Sequence, residues 1–163
     1  MKLSALILMP IGGLAIPASP MMKSVTTLFA KRYDDAVFAP GSNPYDICSG
    51  HHKNLVDTGH AVNFDDCVDI MDWAKSHNGE FVLKFVTDPG DDTEWHVLKK
   101  NDNCALLARN VEVTSVGNAD MYDLLNDISQ ADGSQGEIEE KGGFTGCQQN
   151  ATVSFWLRNA EGI

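Results

Sequence analysis

Positive charge is what this 163-residue chain has least of: 12 lysines and arginines stand against 23 aspartates and glutamates, a net charge of −11. Such a balance repels phosphate backbones and anionic lipid headgroups, which argues against nucleic acid and membrane surfaces as direct partners. Beyond the first twenty residues no stretch is apolar enough to stop transfer across a membrane, so no membrane insertion is expected. Closely spaced cysteines are missing as well. The four present, at 48, 67, 104 and 147, are separated by 19, 37 and 43 residues, whereas a zinc site wants close pairs. There is no Gly-x-Ser-x-Gly elbow, no phosphate-cradling glycine loop and no His-Glu-x-x-His helix, so no catalytic residue, metal or cofactor is expected.

The few cations are unevenly placed. Lys2, Lys23, Lys31 and Arg32 all fall in the first 32 residues, which contain no acid. The opening MKLSALILMPIGGLAIPASP has a charged start, an apolar run from Leu3 to Ile16 and then small residues, the layout of a secretory signal. Ala18 is the expected cleavage point, because a small residue there suits a signal peptidase pocket. Residues 19–32, SPMMKSVTTLFAKR, read as a propeptide ending in a dibasic site, Lys31-Arg32, for a subtilisin-like processing protease. The alternative is an ordinary surface pair on a short helix. From Tyr33 onward eight basic residues face 23 acidic ones, a net charge of −15 on a domain expected to be soluble and extracellular.

An even number of cysteines in a small exported chain reads as two disulfides, with three connectivities open. The preferred pairs are Cys67 with Cys104 and Cys48 with Cys147, because Cys67 should open a helix and Cys104 a strand that can lie under it.

Residues 33–47, YDDAVFAPGSNPYDI, are rich in turn formers and read as an extended lead-in with little secondary structure. The rest, residues 48–163, forms the domain proper. Asp65 or Asp66 can cap a helix in which Cys67, Ile70, Met71 and Ala74 make a buried stripe, with Asp69 and Asp72 facing outward. EFVLKFV alternates as a strand, and EWHVL, CALLA and VEVTS follow as an antiparallel meander. Met121, Leu124, Leu125 and Ile128 repeat the helical stripe, closed by Gly133 to Gly136. GEIEEK and NATVSFWLR return to strand, with Val153, Phe155 and Leu157 on one face. This order predicts an α+β fold: a single-domain αβ sandwich with a largely antiparallel sheet and two helices on one face.

Three histidines, His51, His52 and His60, suffice in number for zinc, but adjacent rings on a strand point opposite ways, and exposed loop histidines are the better reading. DPGDDTE gathers Asp88, Asp91, Asp92 and Glu94, yet lacks the spacing and closing glutamate of an EF-hand and reads as a solvated acidic turn. Asn150-Ala151-Thr152 is a glycosylation sequon. Trp156 alternates with Phe155 and Leu157, so its ring should point away from the core, as a sugar-binding platform would; the plainer alternative is that it covers a second face or packs under a loop.

The segments around the cysteines resemble one family. CSGHH at Cys48, FDDCVDIM at Cys67, NCALLA at Cys104, VGNADMYDLLNDI, and the closing GGFTGC with VSFWL are similar to small secreted fungal effectors, the necrosis-inducing factors related to extracellular protein two. The resemblance runs from Cys48 to Leu157. It implies a non-enzymatic effector or toxin in the apoplast, with host cell death, virulence or attack on competing microbes as its outcome, and a killer-toxin-like αβ sandwich. Its partners would be a host or microbial surface protein or a cell-wall polysaccharide. The family has no established catalytic residues to transfer. The acidic DPGDDTE turn and the strong negative charge depart from a basic killer toxin. A carbohydrate (chitin or glucan) binding or carbohydrate-active module is the alternative, since related domains occur fused to chitinases. A protease inhibitor is a third reading; it would need an exposed extended loop, and DPGDDT is too acidic for most protease clefts.

Overall fold

The computed structural model describes residues 32–83, 94–132 and 136–163. Signal and propeptide residues, Ala18 and Lys31 among them, and the turn residues Asp88, Asp91 and Asp92 lie outside this set, as do residues 133–135, within the stretch expected to close the second helix.

The strands are β1 (Arg32–Asp35), β2 (Val37–Pro40), β3 (Gly50–Leu55), β4 (Val62–Asn63), β5 (Gly79–Leu83), β6 (Glu94–Lys100), β7 (Cys104–Asn110), β8 (Thr114–Gly117), β9 (Glu137–Ile138), β10 (Glu140–Thr145) and β11 (Val153–Asn159). Among the described residues there are two α-helices, α1 (Val68–Ser76) and α2 (Asn118–Ala131). A six-stranded sheet runs β1-β6-β7-β11-β10-β3, antiparallel throughout except where β1 lies parallel to β6. β2, β5 and β8 make a smaller antiparallel sheet, and β4 pairs with β9.

Both helices bury their stripes on one face of the large sheet. Ile70 and Ala74 of α1, and Met121, Leu124, Leu125 and Ile128 of α2, pack on Leu106, Phe144, Phe155 and Leu157. Four apolar positions per two turns make the helical face wide enough to cover two or three strands. Period-two alternation then sends Ala105, Leu107 and Trp156 through to the opposite face, where they join Trp95 and Val97 in a second, smaller core. This is why β7 is apolar on both sides: a central strand covered on both faces loses the polar half of its alternation.

The disulfides join Cys67 to Cys104 and Cys48 to Cys147. Local hydrogen bonds explain the first pair. Asn101 Oδ1 accepts from the backbone N–H of Asn103 (3.0 Å) and Cys104 (2.7 Å), forming the tight turn into β7. Its amide donates to the Asp66 carbonyl at 2.6 Å, bringing Cys67 above the start of that strand.

Four expectations change. The lead-in is not largely irregular: residues 32–40 supply β1 and β2, because each finds a sheet edge far along the chain to pair with. The meander stops after β6 and β7. Asn110 donates to the carbonyls of Glu112 (2.6 Å) and Leu83 (3.4 Å), turning the chain so that residues 111–113 leave the sheet and only β8 resumes pairing, with β5. Neither Asp65 nor Asp66 caps α1. A 3-10 turn, Phe64–Cys67, precedes that helix, and Asn63 caps it by accepting from the Asp65 N–H at 3.1 Å. His51 and His52 lie in β3, not in a loop.

Candidate functional site

Three of the segments that carry the resemblance, CSGHH, VGNADMYDLLNDI and GGFTGC, converge in space. They meet at the Cys48–Cys147 disulfide, beside a cavity of about 180 Å³ lined by Asp46, Ser49, His51, Asp120, Asp123 and Phe144. The start of α2 builds it. Gly117 approaches the Tyr45 carbonyl so closely that a Cβ would sit 1.9 Å from that oxygen, so only glycine fits. Asn118 then accepts from the N–H of Tyr45 (2.9 Å) and Gly79 (3.2 Å) and donates to the Ala74 carbonyl (2.9 Å). Asp120 accepts from the N–H of Gly117 (2.8 Å), Ile47 (3.1 Å) and Cys48 (3.0 Å). Two polar side chains in the first turn of α2 therefore hold residues 45–48, the end of α1 and the start of β5 in one clamp.

Asp120 is only 5% exposed. Burial pushes its carboxyl up to about 6 against the pull of the three backbone N–H groups, and hydrogen bonding with the Asp46 carboxyl adds to the rise. A perturbed acid lining a cavity is where catalysis is first sought. Here the neighbouring groups are otherwise committed. His51 Nε2 pairs with Asp127 Oδ2 at 2.9 Å, while the Ser49 hydroxyl donates to the Thr145 carbonyl at 3.1 Å. A serine, a histidine and an aspartate lie close together, but no serine-to-histidine hydrogen bond is made, so the proton relay of a nucleophilic triad is not assembled.

Trp156 does point away from the principal core, but it is not a platform. Its ring is 1% exposed. Lys141 Nζ lies 4.0 Å from the ring centroid, the Arg158 guanidinium 4.6 Å, and the Trp95 ring 5.4 Å. Its indole N–H donates to Glu139 Oε1 at 2.8 Å. Glu139 also accepts from the Thr58 N–H (2.9 Å), the Thr58 hydroxyl and the His60 N–H (3.2 Å). Burial alone would raise this carboxyl; these four donors carry it below the ordinary carboxylate range. The loop holding His60 is thereby fastened over the second core, and an exposed sugar-binding face is excluded at Trp156.

The remaining candidates are dispersed. His60 Nδ1 lies 2.7 Å from the Arg158 guanidinium, whereas His51 faces Asp127. Among the described residues no group of three or more histidines, cysteines or acids is arranged to hold a metal ion. Asn150 is exposed at a tight turn between β10 and β11, with φ of 62°. Two further cavities, of about 320 and 490 Å³, share Asp66, Asp102 and Asn103 and form an acidic, solvent-facing groove. Sequence reasoning missed Asn118, Asp120, Glu139 and Glu140 as buried groups, since acids in a strongly acidic chain read as solvated. The one available signal was the Gly-x-x-Asp spacing at the start of α2.

Among the described residues no helix is long and apolar enough to cross a membrane. No curated protein matches the chain. A family model, Hce2, described as "Pathogen effector; putative necrosis-inducing factor", matches residues 47–147, a span that takes in both disulfides and Asp120 with the three backbone N–H groups it accepts from. The chain belongs to the Hce2 family of pathogen effectors.

Proposed function

We propose that this effector is exported and works without catalysis, through surface contacts that provoke cell death in host plant tissue or harm competing microbes. The observation that carries this reading is the geometry at the cavity: Ser49 is committed to the Thr145 carbonyl and His51 to Asp127, leaving Asp120 as a clamp and not an acid catalyst. Two disulfides suit such a protein, because a domain of this size outside the cell holds its shape with covalent help. Purified protein infiltrated into leaves, and added to cultures of competing microbes, is expected to cause necrosis or growth inhibition. Ser49→Ala and His51→Ala keep full activity, and Cys67→Ser loses it with the fold. Loss of activity in either alanine variant with the fold intact would overturn the non-catalytic reading. Inactivity of the folded wild-type protein in both assays would overturn the effector reading as framed.

The maturation steps belong to the same proposal. A cut after Ala18 and a second after Lys31-Arg32 would leave Tyr33 as the first residue, inside β1. The exposed turn at Asn150 leaves room for a glycan. N-terminal sequencing of the secreted protein is expected to begin at Tyr33, and its intact mass to fall on endoglycosidase treatment. A start at Ser19 rules out the dibasic cut, and a mass unchanged by the enzyme and by Asn150→Gln rules out the glycan.

A further inference from the structure

Glu139 and Glu140 stand side by side in sequence and face opposite sides of the sheet. Glu139 meets four donors, whereas Glu140 turns to the helix side, paired across the strands with Leu157 of β11 and Leu55 of β3. It is 0% exposed, and neither carboxyl oxygen has a hydrogen-bond partner. A bare carboxylate in that position is strongly disfavoured. The charged groups facing it are few. From β3 comes Lys53, whose Nζ lies 3.6 Å from Glu140 Oε1 and is in direct contact with Asp132 Oδ2. From the end of α2 comes Asp132, whose N–H closes the helix on the Ile128 carbonyl at 2.8 Å. β11 contributes only Leu157 at this position. The last turn of α2 has no basic residue of its own, so the partial negative charge of the helix end faces two carboxyls and one lysine from a neighbouring strand.

We propose that Lys53, Asp132 and Glu140 form a proton-operated latch that fastens the C-terminal end of α2 to β3 and β10 in mildly acidic solution and releases it as the solution turns neutral to alkaline. With Glu140 protonated, its hydroxyl donates to the Asp132 carboxylate, which also takes the Lys53 ammonium. The trio then carries no net charge, and the buried oxygens gain a partner. Loss of that proton puts two carboxylates against one ammonium, with the Glu140 carboxylate out of contact with water. The titrations follow this geometry. Burial drives Glu140 up to about 7, with the Asp132 carboxyl adding to the rise against the pull of Lys53. Contact with Lys53 brings Asp132 below its ordinary value, and the two acids carry Lys53 above its own despite burial.

An acid whose folded value exceeds its unfolded one makes folding more favourable as pH falls from the folded value toward the unfolded value, here from about 7 toward 4.5. Resting on the reading as an exported protein, the latch is shut in surroundings near pH 5 and open in surroundings near pH 8. The test is urea unfolding of the full domain at pH 8 and pH 5, for wild type, Glu140→Gln and Asp132→Asn. Between those conditions the folded-to-unfolded ratio of wild type is expected to gain on the order of 50-fold over that of Glu140→Gln. Asp120 also titrates near this window, but it is present in both proteins and cancels in the comparison. Asp132→Asn, which leaves Glu140 with Lys53 and no rival carboxylate, is expected to shrink the gain. Carbon-13 titration of the Glu140 carboxyl in wild type provides a second measurement should Glu140→Gln fail to fold. Parallel pH responses in wild type and Glu140→Gln, or a Glu140 carboxyl titrating near 4.5, would overturn the latch.

Discussion

Replacing Cys48 and Cys147 together with serine is expected to lower folding stability by about 5 kcal/mol, against about 4 kcal/mol for the Cys67 and Cys104 pair, with urea midpoints falling in that order. The ranking comes from the unfolded chain. The first bond joins residues 99 positions apart and the second residues 37 apart, and the longer loop removes more conformations when closed. Removing both partners of a pair avoids leaving an unpaired thiol, so the comparison reads the bond itself. Contacts in the folded state reinforce the order. Near Cys67 and Cys104, the Asn101 and Asn103 side chains still bond Asp66 when the sulfurs are gone, at 2.6 and 3.1 Å. Near Cys48 the fallback is the Asp120 clamp, whose hold depends on a carboxyl that titrates at about 6. A reversed order would mean that the folded state at Cys48–Cys147 resists the bond, and that the clamp, not the disulfide, sets the position of residues 45–48.

Such a clamp also marks where sequence reading stops. The stripe at Met121, Leu124, Leu125 and Ile128 was legible because period 3.6 is written locally, and so was the split of Phe155 and Trp156 between two faces, because period two is equally local. Sheet order was not. β1 finds β6 across more than fifty intervening residues, and β8 abandons its neighbour β7 because the Asn110 side chain takes two carbonyls; neither choice leaves a periodic trace. Acid burial was hidden for a related reason. Asp120 and Glu140 look like their many solvated relatives, and only the three-dimensional neighbours separate one that accepts three N–H groups from one that has none. Both lie where α2 meets the sheet, at opposite ends of the helix, and both are held above the ordinary carboxylate range chiefly by burial. The seam that defines this domain thus draws stability from protons as well as from apolar contact.

Trp156→Ala is expected to cost about 4 kcal/mol from the lost ring alone, since large-to-small changes at fully buried aromatics leave a cavity that the surroundings fill only in part. Trp156→Phe separates the ring from its N–H. It keeps most of the apolar contact with Trp95 and Leu107 but withdraws one of the four donors to Glu139, for about 1.5–3 kcal/mol, the range of a hydrogen bond to a charged group. The size of that second effect depends on pH in a fixed direction. Glu139 is held below its ordinary value, so its contribution is fully present above 4.5 and is lost as pH falls through the folded value. Wild type and Trp156→Phe should therefore converge in strong acid, while Trp156→Ala stays well below both. An exposed sugar platform would behave otherwise: truncating it would leave the urea midpoint nearly unchanged and abolish retention on chitin or glucan. A tryptophan 1% exposed, with two cations over its ring and its N–H on a buried carboxylate, ties loss of any polysaccharide binding to loss of the fold. Retention and urea midpoint measured on the same Trp156→Ala preparation are therefore expected to fall together, and lost retention at an unchanged midpoint would contradict the buried role of this ring.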